Sequence, residues 1–317
     1  MDQQQAITHG WIVLNKPVGM SSAKAVGIIR RLFGGTKTGH AGTLDPLACG
    51  VLPIALGEAT KTISYVVTAE KSYRFTALWG AETQTDDREG KITRTSAYCP
   101  SVDEIKAILP RFTGLIKQVP PVFSAVKVKG RRAYALARDS TNLPDKLTNI
   151  SLKPRDVMIN KLEITEHFGQ KTTFTVKCSK GTYIRALARD IGRALESAAH
   201  VVFLERIAVG RFKIEDAIDL DFLEKVVYNA NAHDYVIPIM TVLDDIPALA
   251  ITEQEAQRLR FGQTLNLDKD RSHMFQAAAK AGDQTAFVIG MAAVGGTPVA
   301  LVRLEEQILL PVRVLNL

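Results

Sequence analysis

The chain is poor in cysteine, lacks metal-ligand spacing and, over long stretches, has almost no acid. Its three cysteines, Cys49, Cys99 and Cys178, lie far apart and outside any CxxC pair. That argues against a zinc site and a disulfide framework, and fits reduced thiols of a cytoplasmic protein. The six histidines are scattered and do not sit beside acids at ligand spacing. GxGxxG and GxxxxGK[ST] phosphate loops are absent. No GxSxG elbow occurs, so serine and cysteine nucleophiles lack support. The start, Met1-Asp2-Gln3-Gln4-Gln5, has no basic stretch leading into an apolar core, and no signal peptide is expected. The longest apolar stretch, Ala286 to Val302, is broken by Gly290, Gly295, Gly296 and Pro298. It reads as two strands around a Gly-Gly turn rather than a membrane span.

Acid is scarce where base is dense. Residues 111–155 hold ten Lys/Arg against two Asp/Glu, a local +8, whereas residues 249–317 hold seven of each. The net charge of +7 therefore arises wholly before residue 249. So concentrated a basic segment implies a polyanionic partner, most often nucleic acid; the alternative is a solvated face. A length of 317 residues suggests roughly two domains.

Against this background one stretch stands out, Gly39-His40-Ala41-Gly42-Thr43-Leu44-Asp45-Pro46-Leu47-Ala48-Cys49-Gly50-Val51-Leu52-Pro53. Its glycines and prolines exclude regular structure through the middle, and an apolar run begins at Val51. Asp45 is the sole acid between Asp2 and Glu58. Asp45-Pro46 forms either a simple turn or a stiff loop that presents a reactive carboxylate.

Around it the pattern reads in order. Residues 10–15 make a buried strand, and Ser21 or Ser22 caps a helix that ends at Gly34-Gly35. A second helix spans 58–67. Residues 71–79 alternate at period two, which puts Tyr73, Phe75, Ala77 and Trp79 on one face. Residues 83–90 are a polar loop, 102–109 a helix capped by Ser101, 123–128 a strand and 131–138 a basic helix. Residues 139–153 read as an excursion that orders on a partner. Strands at 156–164 and 172–178 precede a helix over 183–195, on which Arg185, Arg189 and Arg193 recur every four residues beside an apolar stripe. A strand at 200–209 and a helix at 220–228 follow. A domain boundary is placed at about 248, before a capped helix from Thr252 and short strands.

What remains for chemistry is a loop carboxylate, basic surfaces and aromatics on strands. That set suits an Asp nucleophile or base acting on a nucleic-acid component. A cation beside Asp45 is expected, because an adjacent guanidinium favours the ionised carboxyl. Arg185 is one of several candidates, and it could instead belong to a solvated stripe with Arg189.

Leu14-Asn15-Lys16-Pro17-Val18-Gly19-Met20-Ser21-Ser22 resembles the first motif of the TruB-type tRNA pseudouridine synthases, and Gly39 to Pro53 is similar to their catalytic motif. Lys71-Ser72-Tyr73-Arg74, the segment from Val119 to Lys127, and Cys178 to Arg185 resemble three further blocks in the same order. The resemblance spans roughly residues 10–250; the tail looks like a small PUA-type β domain.

It implies an α+β fold with a mixed twisted sheet over residues 1–248, carrying a basic RNA-binding insertion at about 124–153, and a β domain over 249–317. It implies isomerisation of uridine-55 in the T loop of tRNA, without metal or organic cofactor, by a monomer that needs no protein partner. Asp45 would be the nucleophile, Tyr73 would stack on the flipped base, and Arg185 would pair with Asp45. His40 would fill the gap left by extruded bases, and Tyr183 and Leu204 would line the base pocket. Asn15, Phe123 and Gln84 depart from the family pattern, which usually has Asp, Tyr and Asp there. Rival readings are an RNA chaperone of the same fold, a guide-RNA-directed enzyme and an Asp-dependent hydrolase. The hydrolase leaves the basic segment unexplained.

Overall fold

Two strands rich in large apolar side chains, Gly10–Lys16 and Cys49–Leu56, form the middle of the molecule. They pair antiparallel, Ile12 opposite Ile54 and Leu14 opposite Leu52. Side chains alternate across a sheet, and here both faces are buried. Ile12, Leu14, Leu52 and Ile54 enter one core with Ile29, Phe75, Phe174 and Leu187. Trp11, Val13, Val51 and Ala55 enter another with Val209, Phe212, Met291 and Leu301. A strand covered on both sides reads as an unbroken apolar run, which explains the composition of 51–56.

The computed structural model describes residues 7–128, 130–139, 152–228, 232–243, 246–278 and 288–317. The main sheet is mixed, and its principal path runs Ile218–Asp219, Gly10–Lys16, Cys49–Leu56, Ala199–Val209, Lys71–Trp79, Lys171–Cys178, Arg155–Phe168, Gly114–Gln118. Cys49–Leu56 and Ala199–Val209 run parallel, and the outer strands from Ala199–Val209 to Gly114–Gln118 are antiparallel. Helices Ser22–Leu32 and Ile184–Ala194 cover one face through Ala25, Ile29, Leu187 and Ile191. A second, five-stranded sheet opens at Ala248–Ala250 and packs Met291, Leu301 and Leu315 against the other face.

Several local expectations shift. The helix expected over 58–67 is a 3-10 turn, Gly57–Thr62, followed by a short α-helix, Ile63–Thr68. The strand expected at 123–128 is confined to Lys127–Val128, and the basic helix starts at Ala133, because Arg131–Arg132 pairs back on Lys127–Val128. The excursion at 139–153 falls largely on residues 140–151, which lie outside the described residues. Ser21 caps the first helix, its side chain accepting from Lys24 N. The hairpin Ala81–Thr83 with Ile92–Thr95 and the helix Lys269–Ala277 have no counterpart in the sequence reading.

Candidate active site

The loop that carries Asp45 connects the strand Thr38–His40 to Cys49–Leu56 and is pinned by main-chain contacts on both sides of the acid. Ala41 N donates to Pro53 O (2.9 Å), Gly19 N to Pro46 O (2.7 Å) and Ala48 N to Asp45 O (3.1 Å). Ser22, freed from capping, accepts from Leu44 N (2.8 Å) and donates to Leu44 O (2.9 Å). Where the loop enters its strand, Gly50 has φ +98° and lies against Arg206; a Cβ there would fall 2.3 Å from Arg206 O. Glycine is required on both counts. The Asp-Pro turn reading is half right: the backbone turns, but the carboxylate bonds elsewhere.

Asp45 Oδ2 accepts from Arg185 Nε at 2.8 Å. Arg185 is 5% exposed and Asp45 36%. A pair with one partner in contact with water is worth only ~1 kcal/mol net, so its value lies in direction rather than stability. Arg185 is fixed by its other donors: Nη1 to Thr85 O (2.7 Å), Nη2 to Phe123 O (3.0 Å), and Nη1 within 3.4 Å of Asp87 Oδ2. One oxygen of Asp45 is thereby held while the carboxylate stays open on one side. The helix start is fixed as well, because Gln118 accepts from Tyr183 N (2.8 Å) and donates to Tyr183 O (3.1 Å).

Arg185 and Arg189 are buried and do not form a solvated stripe, whereas Arg193 is exposed. Arg189 Nη1 pairs with Asp86 Oδ2 at 2.7 Å, and Arg193 donates twice to Glu82, at 3.0 and 2.7 Å. Three arginines at helical spacing thus meet the acids of the segment 82–87. Burial pushes the Asp86 carboxyl up to about 6, against the pull of Arg189 and Arg185. Glu82, Asp86 and Asp87 escaped the sequence reading. Acids placed in a polar loop, with arginines every fourth residue on a later helix, were the available signal.

The remaining expected residues gather less tightly. Tyr73 is buried and stands across from Arg206 in register. Burial pushes its hydroxyl pKa up, Arg206 opposes this, and Asp45 lies close enough to add to it. Leu204, opposite Phe75, shares a core with Leu44, Leu47 and Tyr73. Tyr183 adjoins Arg185, and burial raises its pKa too, with Asp45 among the nearby charges. His40 ends its strand half-buried; burial and Arg206 lower its pKa, so the ring is neutral near pH 7.

Lys16, which the sequence marks only as part of a motif, is fully buried. Its Nζ donates to Pro17 O and Met20 O at 2.8 Å each. Burial lowers its pKa to about 8, with Cys49 and Asp45 opposing. Near the basic segment, Lys127, Arg131 and Arg132 are exposed on a small hairpin, with Tyr134 on the helix that follows. Of the departures, Asn15 donates to Asp219 (2.8 Å), and Phe123 supplies a carbonyl to Arg185. Among the described residues no group of three His, Cys, Asp or Glu could hold a metal ion, and no helix is long and apolar enough to cross a membrane.

Comparison with known proteins gives consistent matches. Residues 30–184 match the model of the TruB family pseudouridylate synthase N-terminal domain, and residues 185–246 match that of the tRNA pseudouridylate synthase B C-terminal domain. The junction at 184/185 falls inside the main fold, in the first turn of the helix Ile184–Ala194. The tRNA pseudouridine synthase B of Rhodopseudomonas palustris is 46% identical over 316 residues, covering 98% of this chain and 81% of that one. That of Caulobacter vibrioides is 44% identical over 309 residues, covering 97% and 96%. Among solved structures, an H/ACA ribonucleoprotein bound to a substrate RNA containing 2′-deoxyuridine aligns with a TM-score of 0.70 at 21% identity, covering 97% of this chain and 85% of that one. An archaeal box H/ACA Nop10–Cbf5 complex aligns at 0.68 and 23%, covering 96% and 82%. These two establish likeness of fold. With family models across most of its length and near full-length relatives above 40% identity, the chain belongs to the TruB family of pseudouridylate synthases.

Proposed function

We propose that this enzyme isomerises uridine-55 in the T loop of tRNA to pseudouridine, with Asp45 as nucleophile. The observation that carries the reading is the carboxylate of Asp45, held at one oxygen by a guanidinium whose other donors are tied off. A base inside folded RNA is out of reach, so it must leave the stack at a cost of a few kcal/mol. His40, neutral and at the edge of the loop, would occupy the space vacated. Tyr73 would stack on the base, and Tyr183 and Leu204 would line its pocket. Asp45 then attacks the base or the sugar. The N1–C1′ bond breaks, the base turns, a C5–C1′ bond forms and the bond to Asp45 breaks to return the free carboxylate, while C5 loses a proton and N1 gains one. Atoms and electrons balance within the substrate, so no cofactor is required by the stoichiometry.

The basic hairpin at 127–132 and the segment after it would grip the RNA backbone, as part of an insertion at about 124–153. Residues 1–248 would form the catalytic domain and 249–317 an RNA-binding β domain, acting as a monomer in the cytoplasm without an obligate protein partner. The test is incubation with unmodified T-arm RNA followed by detection of pseudouridine. Asp45→Asn should bind the RNA and leave it unconverted; turnover equal to wild type would falsify the nucleophile assignment.

A further inference from the structure

Arg206 is 1% exposed on the strand Ala199–Val209. A buried guanidinium ordinarily faces a carboxylate. This one donates to main-chain carbonyls instead: Nε to Val51 O at 2.8 Å, Nη2 to Gly42 O at 3.0 Å and Nη1 to Thr43 O at 3.4 Å. Gly42 and Thr43 precede Asp45 in the loop, and Val51 follows it. One planar group therefore ties the two ends of the catalytic loop to each other and to the strand beneath. The tie is tight, because the Arg206 main chain leaves room only for glycine at position 50. On the neighbouring strand, Tyr73 stands directly opposite.

We infer that Arg206 is a positioning residue for the reaction: it sets where the Asp45 loop sits relative to Tyr73. The inference rests on the proposed roles of Asp45 and Tyr73. A planar fork with donors in fixed directions suits this task, and a lysine does not replace it. An ammonium on a flexible stem can reach the Gly42–Thr43 side or Val51, but it does not hold both in one plane.

The test compares wild type with Arg206→Lys, Arg206→Gln and Asp45→Asn. The measurements are the single-turnover rate of pseudouridine formation at saturating tRNA, the tRNA dissociation constant, and the melting temperature. A displacement of about 1 Å at a reacting group costs about 100-fold in rate. Arg206→Gln, folded by circular dichroism, is expected to lose about that much, and Arg206→Lys about tenfold, with tRNA affinity within about twofold of wild type. A purely structural role would lower the melting temperature and leave the rate of the folded protein unchanged. That result overturns the inference, as does loss of fold in both Arg206 variants or a rate loss matched by lost tRNA affinity. If Asp45→Asn is inert while folded Arg206→Gln keeps the wild-type rate, the positioning role alone falls. If Asp45→Asn turns over, the nucleophile reading falls first and takes the positioning role with it.

Discussion

Ser22→Ala separates the stability of the Asp45 loop from its aim. Ser22 is 2% exposed, and its hydroxyl serves both main-chain groups of Leu44, accepting at 2.8 Å and donating at 2.9 Å. Alanine leaves the N–H and the C=O of one buried residue unpaired. Each unpaired group costs ~1–3 kcal/mol, so the substitution costs roughly 2–6 kcal/mol if the loop stays in place. The loop has one other course: it can shift toward water, pair those groups there, and carry Asp45 with it. In the first case the melting temperature falls by roughly 4–12 °C while the rate per folded molecule holds. In the second the melting temperature changes less and the single-turnover rate drops by about 100-fold. Scanning calorimetry and a single-turnover pseudouridine-formation assay on the same preparation distinguish the two. Ser21→Ala is the control, because that hydroxyl accepts only from Lys24 N at the helix start; its loss should cost ~1 kcal/mol and leave the rate alone. A Ser22→Ala protein that matches wild type in both measurements would refute the reasoning.

Arg185→Lys should lower the single-turnover rate by about 100-fold with little change in tRNA affinity, because one ammonium cannot serve Asp45, Thr85 and Phe123 together; an unchanged rate would show that Asp45 is aimed by other means. Asp86 has a folded pKa of about 6, above its ordinary 3.8, with burial as the largest cause. Between those values the folded chain holds a proton that the unfolded chain has released, so this group's contribution to stability falls as pH rises through that window. The melting temperature of wild type minus that of Asp86→Asn should therefore be larger at pH 5 than at pH 7, whereas a carboxylate governed by its ion pair would give the opposite trend. Lys127 and Arg132 are exposed on the basic hairpin. Replacing each with Ala should weaken tRNA binding and reduce the slope of log K against log salt by about 0.7–0.9 per lost phosphate contact; an unchanged slope would place the RNA elsewhere.

Much of the fold was legible because local pattern and tertiary environment agree. The alternation over 71–79, the Gly-Gly turn at 295–296 and the caps at Ser21, Ser101 and Thr252 all appear as read. What stayed hidden depends on partners distant in sequence. Gly114–Gln118 is a strand because Arg155–Phe168 offers it an edge, and its own composition carries little signal. Asp86 and Asp87 looked like ordinary loop acids until Arg185 and Arg189, about a hundred positions later, came beside them. Arg206 reads as a surface residue by type and is among the most buried side chains in the molecule. The pairing of Asp45 with Arg185, by contrast, was anticipated as a need for a cation, although no spacing rule could choose among the candidates.

Arg185 and Arg206 divide one task between them. Arg185 touches the carboxylate itself and joins three segments that are remote in sequence, those of Asp45, Thr85 and Phe123. Arg206 holds the main chain on which the carboxylate rides and also lies against the Tyr73 side chain. Had both arginines faced acids, the site would carry added negative charge beside Asp45 and Asp87. Carbonyl partners satisfy the Arg206 donors without neutralising its charge, and the same holds for Lys16, whose ammonium also meets two carbonyls. In the proposed reaction the uracil that leaves C1′ carries electrons away from the sugar. Buried cations left un-neutralised beside the Asp45 loop would favour that separation. The same choice of partners therefore both places the loop and sets the sign of the potential in which it works.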